Sequence, residues 1–312
     1  MYSSVFFTRD LSAQGLINMY RQVAHNNIRG KIGIKLHTGE PHGPNIIPRD
    51  WVKKLIESEI PNADIVETNV AYDNSPRFTT EGHRQVLKIN GWDFCKVNIM
   101  DEFGTAMLPI QGGKWFKEIN VGYGLMEYNY LVVLTHFKGH TMGGFGGSNK
   151  NIGIGCASGR IGKPSIHSTK REPKHFDIFK DELCERFTES ATGVVQHFGE
   201  NIIFINVLRN MSVSCDCEGT KAEPVVTPDI GILASRDILA IDQASVDLVY
   251  ALPNNAGKAL IERMESRHGL HQLTYMEKMG MGSRHYSLFD MDNNQGVPTS
   301  RVGDLVRDIK PV

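Results

Sequence analysis

Two uninterrupted apolar runs limit what this chain can fold into. Tyr130–His136 (YLVVLTH) and residues 201–208 (NIIFINVL) lack polar alternation and are rich in β-branched side chains. A strand with one wet face alternates in polarity, so such runs are expected of parallel strands covered on both faces. Shorter runs at 31–37 (KIGIKLH) and 63–70 (ADIVETNV) read as two more strands. Helical patterns lie between them. One opens at Pro48-Arg49-Asp50 and turns Trp51, Leu55 and Ile56 inward; another opens at Thr79-Thr80-Glu81 and runs through His83, Val86 and Leu87. A third, over 177–197, places Phe179, Leu183, Phe187 and Val194 on one face and stops at Gly199. Strands alternating with helices predict an α/β fold, doubly wound around a mostly parallel sheet. At 312 residues the chain suits one large α/β domain or two lobes with the site between them. The polar stretch 168–174 (STKREPK) marks the boundary, giving an N-terminal lobe of 1–168 and a C-terminal lobe of 169–312.

The charge balance narrows the function. Lys+Arg 34 against Asp+Glu 35 leaves a net charge of −1, which supplies no basic footprint for nucleic acid and no polybasic membrane anchor. The apolar runs fall far short of the roughly 20 residues that cross a bilayer. Arg9 and Asp10 interrupt the N-terminal segment before a signal-peptide core could form, so the expectation is a soluble, cytoplasmic protein. Five cysteines with no C-x-x-C spacing fit neither a secreted disulfide framework nor a zinc ribbon or ferredoxin-type cluster motif.

Chemistry concentrates in residues 135–168, where nine of the 31 glycines fall between Gly139 and Gly162. The segment follows a predicted strand, and ligands of open α/β sheets sit beyond the carboxyl ends of strands. Glycines there let backbone N–H groups approach an anion. Neither familiar phosphate motif is complete: Ala157 and Pro164 break a P-loop around Gly162-Lys163, and Ser158 takes the third glycine position of a dinucleotide fingerprint begun at Gly153. What remains is His136 and His140 at i, i+4, with Lys150, Cys156, Lys163 and His167 in one window. Imidazole is a common transition-metal ligand and a base near neutral pH, and a lysine that sheds its proton is a nucleophile. His136, His140 and Lys150 are therefore the catalytic candidates. Gly144, Gly146, Gly147, Lys150, Asn151 and Lys163 are the candidates for holding a cofactor.

Two outlying groups could join that cleft. His37 and Glu40 end the first clear strand, and Cys215 and Cys217 follow the run at 201–208. Two thiols two residues apart would face one side of a strand and could share a metal ion or react with each other. With His167 and His37 they are the metal-ligand candidates. His83 reads as a packed helix residue, residues 73–77 (DNSPR) as a turn, and Asp237 or Asp242 as a helix cap or a residue reaching the cleft.

Taken together, HFKGH (136–140), GFGGSNKNIGIGCASGRIGK (144–163), IHS (166–168), CDC (215–217), DIGILASRDILAIDQASVDLV (229–249) and YMEKMGMGSRHYSL (275–288) resemble the domain-of-unknown-function 362 family, whose members are often labelled uncharacterised Fe–S centre proteins. The two-cluster ferredoxin insert that many relatives carry after IHS is absent, since residues 169–195 hold one cysteine, Cys184. The segment is also similar, more distantly, to the H-F-x-x-G-F-S-G-G-x-K pattern of nickel-pincer lactate racemases. That resemblance implies His136 or His140 as base, Lys150 as the lysine that links the cofactor, and His167 as a metal ligand. The chain departs from that pattern in the spacing between His136 and Gly144, in Asn149 before Lys150, and in having no proline before Gly155.

The expectation is a metal- or cofactor-dependent oxidoreductase or racemase-like isomerase of a small organic acid, with nickel, iron or zinc as the metal. The alternative is a non-catalytic protein that binds or assembles a metal or cluster through the same histidines and the Cys-Asp-Cys pair. A homo-oligomer and a separate ferredoxin electron donor are both compatible with the sequence.

Overall fold

The computed structural model describes residues 2–24, 28 and 30–312. In chain order the strands are β1 (Ser3–Thr8), β2 (Ile32–Lys35), β3 (Asp64–Glu67), β4 (Val97–Ile99), β5 (Thr105–Pro109), β6 (Glu118–Gly122), β7 (Tyr130–His136), β8 (Lys138–His140), β9 (Gly144–Gly146), β10 (Ile202–Leu208), β11 (Gly231–Ser235), β12 (Tyr286–Asp290) and β13 (Gln295–Val297). The α-helices are α1 (Ala13–Val23), α2 (Arg49–Glu59), α3 (Thr80–Ile89), α4 (Ser148–Gly155), α5 (Gly162–His167), α6 (Lys180–Phe198), α7 (Ile238–Tyr250), α8 (Lys258–Ser266) and α9 (His271–Lys278).

A nine-stranded sheet in the order β13-β12-β1-β11-β10-β7-β2-β3-β4 forms the centre. The five strands from β10 to β4 run parallel, as does the β1–β12 pair, while β11 and β13 run against their neighbours. This is the mostly parallel α/β sheet that the apolar runs predict. All seven residues of β7 and all seven of β10 are buried. Along β7, Leu131 and Val133 join one core with Phe187 of α6 and Leu248 of α7, while Val132 and Leu134 join a second with Leu16 of α1 and Leu55 of α2. Both faces are therefore covered. The sheet is continuous across residue 168, since β7 pairs with β10 from Ile202↔Leu131 to Val207↔His136, so lobes 1–168 and 169–312 share one sheet. Among the described residues, no helix is long and apolar enough to cross a membrane.

The chain leaves β2 toward β3 on one side and places β7 on the other. That reversal opens a crevice beyond the carboxyl ends of β2 and β7, where ligands of such sheets bind. Helix α4 lies over it. The glycines of residues 148–155 lead to the expectation of backbone N–H groups open to an anion, in a segment without helical structure. It is instead a helix whose first amides are already occupied, since the Asp242 carboxylate accepts Ser148 N–H at 2.8 Å and Asn149 N–H at 2.9 Å. A Cβ on Gly147 would sit 2.5 Å from Asp242 Oδ1, so glycine is required for this approach. Asp242 thus caps a helix other than its own, and Asn206 Nδ2 donates to it at 2.8 Å. Asp237 caps α7, accepting Leu239 and Ala240 N–H at 2.9 Å each.

Asp242 is the test of this arrangement, because one carboxylate receives three donors in a buried setting and burial lifts its pKa to about 6. Asp242→Asn keeps one acceptor oxygen and turns an NH₂ toward those donors. A loss of about 1–3 kcal/mol in urea-unfolding stability is expected; an unchanged midpoint and slope would show that α4 does not depend on the cap.

Candidate functional site

The crevice widens into a cavity of about 700 Å³ lined from four segments: the ends of β2 and β3, the β8–β9 hairpin with α4, His167 of α5, and residues 215–221. Of the residues singled out from sequence, His37, His136, His140, Gly146, Gly147, Lys150, Asn151, Lys163, His167, Cys215 and Cys217 all line it. Gly144 does not. It has φ +80° and packs against Gly269 inside the hairpin fold, so its role is in the turn.

The Cys-Asp-Cys segment meets the hairpin because residue 139 has no side chain. Gly139 N–H donates to Ser212 O at 2.8 Å, and a Cβ there would fall 2.3 Å from Val213 O. The thiols do not lie on a strand as the spacing suggested. They open the 3₁₀ turn Asp216–Lys221, where Glu218 Oε1 accepts Cys215 N–H at 2.9 Å and Cys217 N–H donates to Cys215 Sγ at 3.4 Å. This capping box brings the two sulfurs together without strand geometry. His140, Cys215 and Cys217 each offer one ligand atom, all within 4.8 Å of one another.

The histidines separate by what their backbone neighbours impose. Gly39 N–H points at His37 Nδ1 (2.9 Å) and Gly143 N–H at His140 Nδ1 (2.9 Å). An N–H donor must meet a lone pair, so in each neutral ring the proton sits on Nε2. His167 has the opposite tautomer: its Nδ1 donates to Lys163 O at 2.9 Å, leaving an Nε2 lone pair with no partner among the described residues. Burial, with Lys150 and His140 adding to it, lowers the His167 pKa to about 3, so protons do not compete for that nitrogen at neutral pH. Burial and Lys150 likewise take His140 to about 4.

His136 is not free to act as a base. Its Nδ1 donates to the Asp216 carboxylate at 2.9 Å and its Nε2 to Arg209 O at 2.7 Å, so neither nitrogen turns a lone pair to the cavity. Lys138 Nζ also pairs with Asp216 at 2.9 Å. Burial alone would raise the Asp216 carboxyl, but His136 and Lys138 hold it below the usual carboxylate range.

Cys215 is the electrostatic focus. The Cys217 thiol donates to it, and against the cost of burial Lys150, His140 and His37 add further stabilisation, which together hold the Cys215 thiol well below its ordinary range. Among the described residues, Lys150 makes no ion pair with a carboxylate. Lys163, by contrast, is committed: Nζ donates to Thr68 Oγ1 at 2.7 Å and to Asn69 O, and burial lowers its pKa to about 8. Asn151 fastens the two strand ends, its Nδ2 donating to Thr135 Oγ1 at 2.9 Å, Leu134 O at 3.2 Å and Lys35 O at 3.3 Å.

The opposite wall holds charges that sequence reading missed. Glu67 accepts Lys35 Nζ at 3.2 Å, Arg77 at 3.4 Å and Thr38 N–H at 2.9 Å. Arg77 also reaches Glu40 at 3.2 Å, which accepts Tyr72 OH at 2.8 Å and Ser75 Oγ at 2.5 Å. His83 is buried and accepts from Arg77 Nε at 3.3 Å. Residues 73–77 are thus more than a turn, since they deliver a buried arginine. The legible signals were Lys35 inside an apolar strand and Asp216 between two cysteines, both costly to bury unless paired.

No curated protein matches the chain. Among solved structures, the lactate racemase apoprotein from Thermoanaerobacterium thermosaccharolyticum is similar at 11% identity and a TM-score of 0.44, covering 78% of this chain and 56% of that one. The chain therefore spans little more than half the length of that racemase. A crystal structure of a Thermotoga maritima protein is similar at 10% identity and a TM-score of 0.46, covering 91% of this chain and 84% of that one. The model of a domain of unknown function (DUF362) matches residues 32–247, which run from β2 through α7 and include every cavity segment described above, and the protein belongs to that family.

Proposed function

We propose that the cavity is the active site of a metal-dependent enzyme acting on an organic acid. Cys215, Cys217 and His140 hold a transition ion, which takes the place of the His140 Nε2 proton while Nδ1 gains a proton and gives up its contact with Gly143 N–H, and one coordination position is left to the cavity. The carrying observation is the grouping of two sulfurs and one imidazole nitrogen within 4.8 Å, at a wall of a cavity large enough for a ligand. Three protein ligands with an open position suit catalysis, and thiolate with imidazole suits zinc, iron or nickel more than magnesium or calcium. The ion, when bound, supplies Lewis-acid polarisation of a ligand oxygen.

The chain's own residues then divide the work. Lys150, a cation with no carboxylate partner, receives the acid's carboxylate. His167 offers a neutral Nε2 to the same cavity, where it accepts a hydrogen bond from the bound molecule rather than acting as a base. Asp216 fixes Lys138 and His136, which position the turn that carries the thiols. Oxidoreduction or isomerisation next to the carboxylate is the reaction class that fits this division.

A second reading has its own support. The Gly39 and Gly143 N–H groups make His37 and His140 Nε2–H donors, and those donors serve a Cys215 thiolate better than they serve a metal. Here the protein acts by thiol chemistry, with Cys215 as nucleophile.

Cobalt(II) and zinc titrations separate the two. The metal reading predicts one ion per chain with a thiolate-to-cobalt charge-transfer band. Affinity falls at least about tenfold in Cys215→Ala, Cys217→Ala and His140→Ala, and holds in His175→Ala, whose ring pairs with Asp177 at the surface. Binding that is equal across all four variants removes the metal assignment. Alkylation of metal-free protein with iodoacetamide, read by peptide mass spectrometry, should modify Cys215 ahead of Cys217, and zinc should protect it. Preferential labelling of Cys217 would sink the thiolate reading.

A further inference from the structure

We infer that the acid this cavity takes carries an apolar body of about ring size behind its carboxylate, and is not a two- or three-carbon acid. This rests on the reading of the cavity as a site for an organic acid.

A volume of about 700 Å³ lies in the range that encloses drug-sized molecules. At about 30 Å³ per water, a three-carbon acid would leave most of that space wet. Apolar side chains of Val70, Met142, Ile154 and Phe176 share the lining with the charged groups. Lys150 and Ile154 both face the cavity, one turn apart, so their backbone positions are about 6 Å apart along the helix axis. Val70 lines the cavity on the Ile154 side, where the Lys35 and Lys163 ammonium groups are turned to Glu67 and to Thr68 and Asn69. Thr68 Oγ1 donates to Gly155 O at 3.0 Å, which ties the segment after β3 to the end of α4 and brings Val70 to the same wall. Phe176, also on the lining, packs edge-on against His167, with ring centroids 5.3 Å apart and planes at 71°. The Lys150 side chain lies along the β8–β9 hairpin that carries His140, since a Cβ on Gly146 would sit 3.7 Å from Lys150 Cδ and from Lys138 Cε, and His140 is beside the thiols. A carboxylate on Lys150 therefore sits beside the thiols, and its apolar body runs toward Ile154 and Val70. Lys35, Arg77 and Lys138 do not offer this anchor, because each is paired with a carboxylate, and Lys163 is held by Thr68 and Asn69.

The test is calorimetric titration of the full chain, zinc-loaded and metal-free, with 3-phenylpropionate, 3-phenylpropionamide and lactate. The inference expects 3-phenylpropionate to bind at least about tenfold more tightly than either lactate or the amide. Lys150→Gln should remove the preference for acid over amide, and Ile154→Thr should weaken 3-phenylpropionate while leaving lactate unchanged. A thermal melt of each variant checks that the fold is intact. Lactate binding as tightly as 3-phenylpropionate, or none of the three binding, overturns the inference. Failure of zinc to bind while the acid preference persists overturns the metal assignment alone.

Discussion

The carboxylate of Asp242 at the N-terminus of α4 is the interaction on which the site depends. Helix α4 has eight residues, too few to be stable alone, and two of them are glycines within its last turns. It exists because Asp242 takes its first two amides, while Asn149 and Asn151 bind it to α6 and to the ends of β2 and β7. Lys150, Asn151 and Ile154 reach the cavity only from a helix held in that place. The same carboxylate also closes the helix terminus to outside anions. A cradle that in other α/β proteins grips a phosphate is here filled from within, and anion recognition passes to side chains.

Around this helix the buried charges are sorted by whether they are paired. Lys35 and Arg77 are paired with Glu40 and Glu67 on one wall, and His136 and Lys138 share the Asp216 carboxylate on the other. Removing one partner of such a group leaves a buried charge uncompensated, which costs far more than the pair contributes. These networks therefore fix the shape of the cavity. Lys150, the Cys215 and Cys217 sulfurs and the His167 Nε2 have no such commitments. They are what a ligand would meet.

Much of the fold was legible because it follows from burial. Runs such as Tyr130–His136 have no other stable place than a two-sided parallel sheet, and Gly199 ends α6 with φ +56° as the pattern ahead of it requires. The site was legible as a list of residues and less so as a set of roles. His136 looked like a base until Asp216, 80 positions away, and Arg209 O took both its nitrogens. Residues 148–155 looked like a loop because glycines oppose a helix locally, and only tertiary contacts from α6 and α7 override them. The C-x-C spacing foretold that two sulfurs would be neighbours, but their turn depends on Glu218 and on a backbone that only Gly139 lets through. Arg77 gave no sign, since its carboxylate partners are Glu40 and Glu67, scattered along the chain.

The central claim is that the sulfurs of Cys215 and Cys217 with His140 hold a transition ion in the native protein. Elemental analysis by plasma mass spectrometry tests it most directly, run with intact-protein mass on untagged protein purified without oxygen. The account predicts nickel, iron or zinc near one per chain in the wild type and its absence from a Cys215→Ala/Cys217→Ala double variant that melts like the wild type. Equal metal content in the two proteins, or a metal-free wild type that still turns over an organic acid, would contradict it.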